Sequence, residues 1–230
     1  MKITRRYQNG SRAVAAGVVV LTLCCGGSLP ASATLIDRGN GLINDTVLNI
    51  TWVQDANLCL TLNNCVNGDA FGNMTWDDAN TWAANLVYRG FSDWRLPYAS
   101  VSAGAGPTTT VIDCSTVTEL ACRDNEMGYM FYHNLGGTLG SNKTGNQTAL
   151  GGVTLDDIQN GYWSGTEFDS SHAWGFSFGF GTQPPADTGI GLVAWAVRSG
   201  DVTGGAPEPA TLALVALGLA GLGFSRRRLN

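Results

Sequence analysis

Apolar and polar positions alternate most strictly in HAWGFSFGFG (172–181), where Trp174, Phe176, Phe178 and Phe180 take one parity and Gly175, Ser177 and Gly179 the other. A period of two is that of a strand with one buried side, so the row predicts core aromatics and assigns Trp174 to packing rather than to a sugar-stacking platform. LVAWAVRSGDV (192–202) reads the same way, with Trp195 and Val197 alternating with Ala194, Ala196 and Arg198. The interval changes in MTWDDANTWAANLVYRG (74–90). There Trp76, Ala79, Ala83 and Leu86 recur at helical spacing until Gly90, and Thr75 with Asp78 makes a capping-box pattern. A second helix is predicted in DNEMGYMFYHNLGG (124–137), capped by Asp124 or Asn125, with Met127, Met130, Phe131 and Leu135 on one face and Gly136-Gly137 as the stop. Two stretches, 97–115 and 136–154, are rich in Gly, Ser, Thr and Asn, lack apolar periodicity and read as loops.

The ends of the chain follow a different logic. Residues 1–33 run from Lys2, Arg5, Arg6 and Arg12 through an apolar stretch to Ala31-Ser32-Ala33, the layout of a secretory signal peptide with an A-x-A cleavage site. A lipid-modified Cys24 or Cys25 is the weaker reading, because bulky Leu23 stands where a small residue should precede the modified cysteine. Residues 204–230 carry Pro207-Glu208-Pro209, then the 15 residues Ala210–Phe224, apolar apart from Thr211, then Arg226, Arg227 and Arg228. As a helix the apolar run covers roughly 22 Å, short against a hydrocarbon core of ~30 Å, and the arginines stay cytoplasmic by the positive-inside rule.

Between these segments, residues 34–203 form one domain's length of chain. Of 13 Lys and Arg, four lie in the leader and three in the tail, so the middle holds six against 17 acids. Such an acidic domain argues against nucleic acid or an anionic membrane surface as partner, since phosphate binding relies on Lys and Arg. It is compatible with a neutral glycan, a cationic surface or Ca²⁺. Four cysteines remain beyond the leader, and in an exported chain an even number predicts disulfides; of three pairings, the short loops Cys59–Cys65 and Cys114–Cys122 are favoured. Zinc is disfavoured, because the spacings are not C-x₂-C and His133 and His172 have no ligand spacing.

Candidate chemistry is sparse. Asp77 and Asp78 fall in a first helical turn, where carboxylates favour the helix dipole. His133 has no accompanying nucleophile or carboxylate in a triad pattern. Asp113, Asp124, Asp156, Asp157, Glu167, Asp169 and Asp187 offer oxygen ligands in or beside loops, but no D-x-D-x-D-G pattern organises them. No catalytic residue, cofactor or metal site is assigned.

Two resemblances sharpen this picture. The tail resembles the PEP-CTERM sorting signal of exopolysaccharide-producing bacteria, which implies processing by exosortase, a membrane transpeptidase-like enzyme, after transient anchoring in the inner membrane. The middle, through DRGNGLINDTVLNITWVQDAN (37–57), MTWDDANTWAANL (74–86), GFSDWRLP (90–97), NEMGYMFYHNLGG (125–137), GYWSGTEF (161–168) and AWAVRSGDV (194–202), resembles the Lcl C-terminal domain family. That resemblance implies an α+β, C-type-lectin-like fold related to the formylglycine-generating enzyme. Its expected parts are a twisted, mainly antiparallel sheet, two helices and long loops, here flanked by terminal targeting helices. The expected function is a non-catalytic, surface or matrix-associated carbohydrate-binding module. The alternatives are a structural biofilm-matrix component, or an enzyme, which the absence of a reactive cysteine pair disfavours.

Overall fold

In the computed structural model, which describes residues 35–100 and 112–202, Leu35–Asp37 (β1), Leu42–Asp45 (β2) and Ile50–Val53 (β3) make an antiparallel meander. On its other side β3 pairs with Val197–Ser199 (β9), so this four-stranded sheet joins the two ends of the domain. Both faces of β2 and β3 are buried. Asn44, Thr51 and Asp45 are accordingly matched: Asn44 Nδ2 donates to the Ile50 carbonyl, Thr51 Oγ1 to the Gly200 carbonyl, and Asp45 accepts from the Val47 and Leu48 amides and from Asn134 Nδ2.

Two smaller antiparallel sheets complete the β structure. Gly145–Thr148 (β4) pairs with Thr154–Ile158 (β5), and Gly161–Asp169 (β6), His172–Ser177 (β7) and Pro185–Asp187 (β8) follow in that order. Pro185 opens the edge strand β8, where a missing amide is tolerated. The helices are short apart from Trp76–Asn85 (α2): Leu58–Thr61 (α1), Glu119–Cys122 (α3) and Glu126–Tyr129 (α4), the last continuing as a π turn over Met130–Asn134. The fold is thus α+β with mainly antiparallel pairing.

A single aromatic cluster fills the centre. Trp52, Trp163, Trp195, Tyr162, Phe131 and Phe178 are fully buried. The indole N–H of Trp163 donates to the Met74 carbonyl at 2.9 Å and that of Trp195 to the Val53 carbonyl at 2.7 Å, so each of these two rings enters the core with its polar atom satisfied. The SDWRLP segment joins β9 from its other side, through reciprocal backbone bonds between Arg95 and Val197 of 2.8 and 2.9 Å. Arg95 then grips Glu126 with two 2.7 Å bonds, and Glu126 also accepts from the Tyr98 amide at 2.7 Å. The motifs that carry the family resemblance therefore build core and cross-braces.

Several sequence expectations need correction. The α2 capping box forms, with the Asp78 amide donating to Thr75 Oγ1, but the helix stops at Asn85 because Leu86 turns extended to bury its side chain. The second helix is one α turn plus a π turn: Asn125 is its cap, and the Leu135 amide reaches back five residues to the Met130 carbonyl. Its apolar face, Met127, Met130, Phe131 and Leu135, is buried as its spacing predicts. The stretch 136–154 contains strand β4, and α1 and α3 are additional to the two helices expected. The aromatic row also breaks: β7 ends at Ser177, the chain turns, Phe180 is 60% exposed, and Trp174 is only partly buried. The leader, the tail and the targeting helices assigned to them lie outside the described residues.

Candidate functional site

The turn that breaks the aromatic row also opens a pocket. A cavity of about 300 Å³ lies between the 112–115 segment, the end of β7 and the turn after it; Asp113, Ser115, Leu139, Trp174, Gly181, Thr182 and Gln183 line it. That volume sits at the small end of the ~300–1,000 Å³ range of ligand pockets and suits one ring-sized group. Asp113, Leu139 and Thr182 are exposed, so the pocket opens to solvent.

Each wall is held by a specific bond. Asn125, completely buried, caps α4 by accepting from the Gly128 amide at 2.9 Å, and its Nδ2 donates to the Ile112 carbonyl at 2.8 Å and to Gln183 Oε1 at 2.6 Å. One side chain thus ties the Asp113 wall to the Gln183 wall. The Cys114–Cys122 disulfide pins the first wall from behind, since Asp113 and Ser115 flank Cys114. The floor is Gly181, at φ +72° and packed so that a Cβ would meet Phe131 at 2.5 Å. Tyr132 donates its hydroxyl proton to the Gly181 carbonyl at 2.5 Å. The π turn places the consecutive residues Phe131 and Tyr132 against that one glycine.

The polar groups of the pocket are unevenly satisfied. Asp113 Oδ1 accepts from the Ser115 amide at 2.9 Å and the Ser115 hydroxyl at 2.6 Å, whereas its Oδ2 has no partner among the described residues. The indole N–H of Trp174 and the Nε2 of Gln183 are shielded from solvent and have no acceptor among the described residues. An unmet buried donor costs about 1–3 kcal/mol, so the two mark the wall as incomplete without an oxygen-bearing neighbour. Trp174 is set by Phe168, whose ring stands 86° to it at 5.0 Å.

The other candidates from sequence sit apart in their roles. The second disulfide, Cys59–Cys65, closes the loop after α1. Asp169 accepts from the Ser171 and His172 amides and from the His172 ring, which holds its carboxyl down at about 2 and makes a local turn of these three residues. Asp187 accepts from the Gly189 amide, Asp157 from Gln159 Nε2, and the Asp156 carbonyl from the Ala56 amide. Asp124 is exposed beside α4, and Glu167 stands opposite Ala173 in β6. Among the described residues no three His, Cys, Asp or Glu side chains converge as a metal site. His133 is partly buried, 5.0 Å from the Tyr129 ring, and burial lowers its pKa.

Trp174, Thr182, Gln183 and Asn125 are the residues that sequence reasoning missed as site components. The one available signal was Pro184-Pro185, which marks the end of the aromatic strand and hence a turn beside it.

The sorting residues Pro207, Glu208, Pro209, Arg226, Arg227 and Arg228 lie outside the described residues, and no helix among the described residues is long and apolar enough to cross a membrane. No curated protein matches the chain. A family model, the PEP-CTERM protein-sorting motif, matches residues 206–228. The chain therefore carries the signal of proteins that exosortase processes on their way to the cell surface or extracellular space, anchored transiently in the membrane before processing.

Proposed function

We propose that the exported domain is a non-catalytic carbohydrate-binding module of C-type-lectin-like type, acting at the cell surface or in the extracellular matrix through the Trp174 pocket. The observation that carries this reading is the pocket wall itself: an indole, a carboxylate oxygen and two N–H donors, the last three without a partner among the described residues, around a space for one ring. Sugar recognition uses those ingredients, an aromatic surface for the C–H face and polar atoms for the hydroxyls. The export signal supports this reading, because it sends the protein to the cell surface or extracellular space. All four cysteines of the domain are bridged, which supports a reading without a reactive thiol. The matrix-scaffold alternative differs in needing no pocket.

The test is glycan binding by the exported protein, with the masses of its termini measured on the same sample. Retention of matrix polysaccharide by the wild type and its loss, by about tenfold or more, in Trp174→Ala is expected. Equal retention by both would remove the pocket from the function and leave the scaffold role.

A further inference from the structure

We propose that the Trp174 pocket selects glycans bearing free, protonated amino groups, an inference that rests on the glycan-binding reading and specifies its ligand. Among the described residues, Asp113 is the single ionisable one lining the pocket. Ser115 occupies one of its oxygens from within the wall, and the other is left without a partner among the described residues.

The rest of the domain is equally unsuited to an anionic ligand. Arg38, Arg95, Arg123 and Arg198 are each committed to a carboxylate, those of Asp201, Glu126, Glu119 and Asp93. Arg89 lies over the Tyr88 ring, 4.9 Å from its centre. Among the Lys and Arg of the described residues only Lys143 has neither an ion pair nor a ring contact. A uronate or sulfated chain would thus meet a domain with 17 acids, of which Asp45 and Glu126 are buried, and almost no uncommitted cation among the described residues, whereas a polyamine-like glycan is drawn in by the same field.

Size and apolar content point to a sugar rather than to a lysine-rich peptide. The 300 Å³ space takes one ring, Trp174 and Leu139 supply apolar wall, and the donors on Trp174 and Gln183 call for acceptor oxygens, which a sugar carries on the ring itself and a lysine only in its backbone. An ammonium on that ring would reach Asp113 at the open side as a charge-assisted hydrogen bond.

The experiment titrates the exported protein by calorimetry with length-matched oligomers of glucosamine, N-acetylglucosamine, glucose, galacturonate and lysine. The glucosamine oligomer should bind about fivefold more tightly than the glucose oligomer, the factor expected of an exposed ion pair near 1 kcal/mol. That ratio should shrink at high salt and when the ligand amines are deprotonated, and Asp113→Asn should bring it towards one. The carboxamide introduced by that substitution still accepts from Ser115, and the salt titration on the unmodified protein tests the charge dependence independently of any variant. Equal binding of the glucosamine, N-acetylglucosamine and glucose oligomers overturns the amine preference while keeping the glycan reading. Tightest binding of galacturonate, or binding of the lysine oligomer as tight as glucosamine, overturns it as well. Binding of none of the five overturns both.

Discussion

Replacing Asn125 by Ala removes three hydrogen bonds at once: the cap to the Gly128 amide, and the donations to the Ile112 carbonyl and to Gln183 Oε1. An N-cap side chain is worth about 1 kcal/mol. Each acceptor left without a donor in a buried setting costs about 1–3 kcal/mol, and the Gln183 amide recovers part of this by turning towards the open pocket. The expected total is about 3 kcal/mol, read as a lower midpoint in urea or as a melting temperature lower by roughly 6–12 °C for a domain of this size. Asn125→Ser separates the two roles. Serine is as good a cap as asparagine but too short to reach Ile112 or Gln183, so it should recover about 1 kcal/mol while losing as much ligand affinity as the alanine variant. A loss below about 1 kcal/mol in Asn125→Ala, or full ligand affinity in both variants, would refute the idea that this side chain ties the two pocket walls.

Two further outcomes follow from the same contacts. Removing either disulfide by paired Cys→Ala substitution should cost about 2 kcal/mol by loop entropy, yet only loss of Cys114–Cys122 should weaken ligand binding, because only that bridge flanks Asp113 and Ser115; calorimetry beside denaturant melts separates the two effects. Burial holds the Asp45 carboxyl above its ordinary range despite its hydrogen bonds, so its contribution is full below about pH 3.8, the unfolded value, and is lost as pH rises through the raised folded value. Asp45→Asn should abolish that loss and leave the protein at least as stable at pH 7, since Asn134 Oδ1, which has no partner beside Asp45, can turn to accept from the new amide; a marked drop in melting temperature at pH 7 would show that the charge is needed.

The sequence by itself determined what depends on local rules. Thr75 and Asp78 specify the start of α2, because a hydroxyl acceptor and a first-turn carboxylate act within one helical turn. The Met127, Met130, Phe131 and Leu135 face is legible because burial follows spacing even where the turn is π rather than α. The sorting tail is legible because its recognition reads a linear order of motif, apolar run and arginines. The pocket is of another kind. Trp174 shares its parity with Phe176, yet only tertiary structure leaves it partly exposed: Phe176 enters the core, whereas Trp174 lines the pocket with Asp113, Ser115 and Leu139. Asn125 is indistinguishable in sequence from any helix cap, and its tie between Ile112 and Gln183 exists only because the fold brings Asn125 to a residue 58 positions further along the chain. Periodicity reports which residues leave water; which polar atoms then meet across a cavity is decided by the packing of elements distant in the chain.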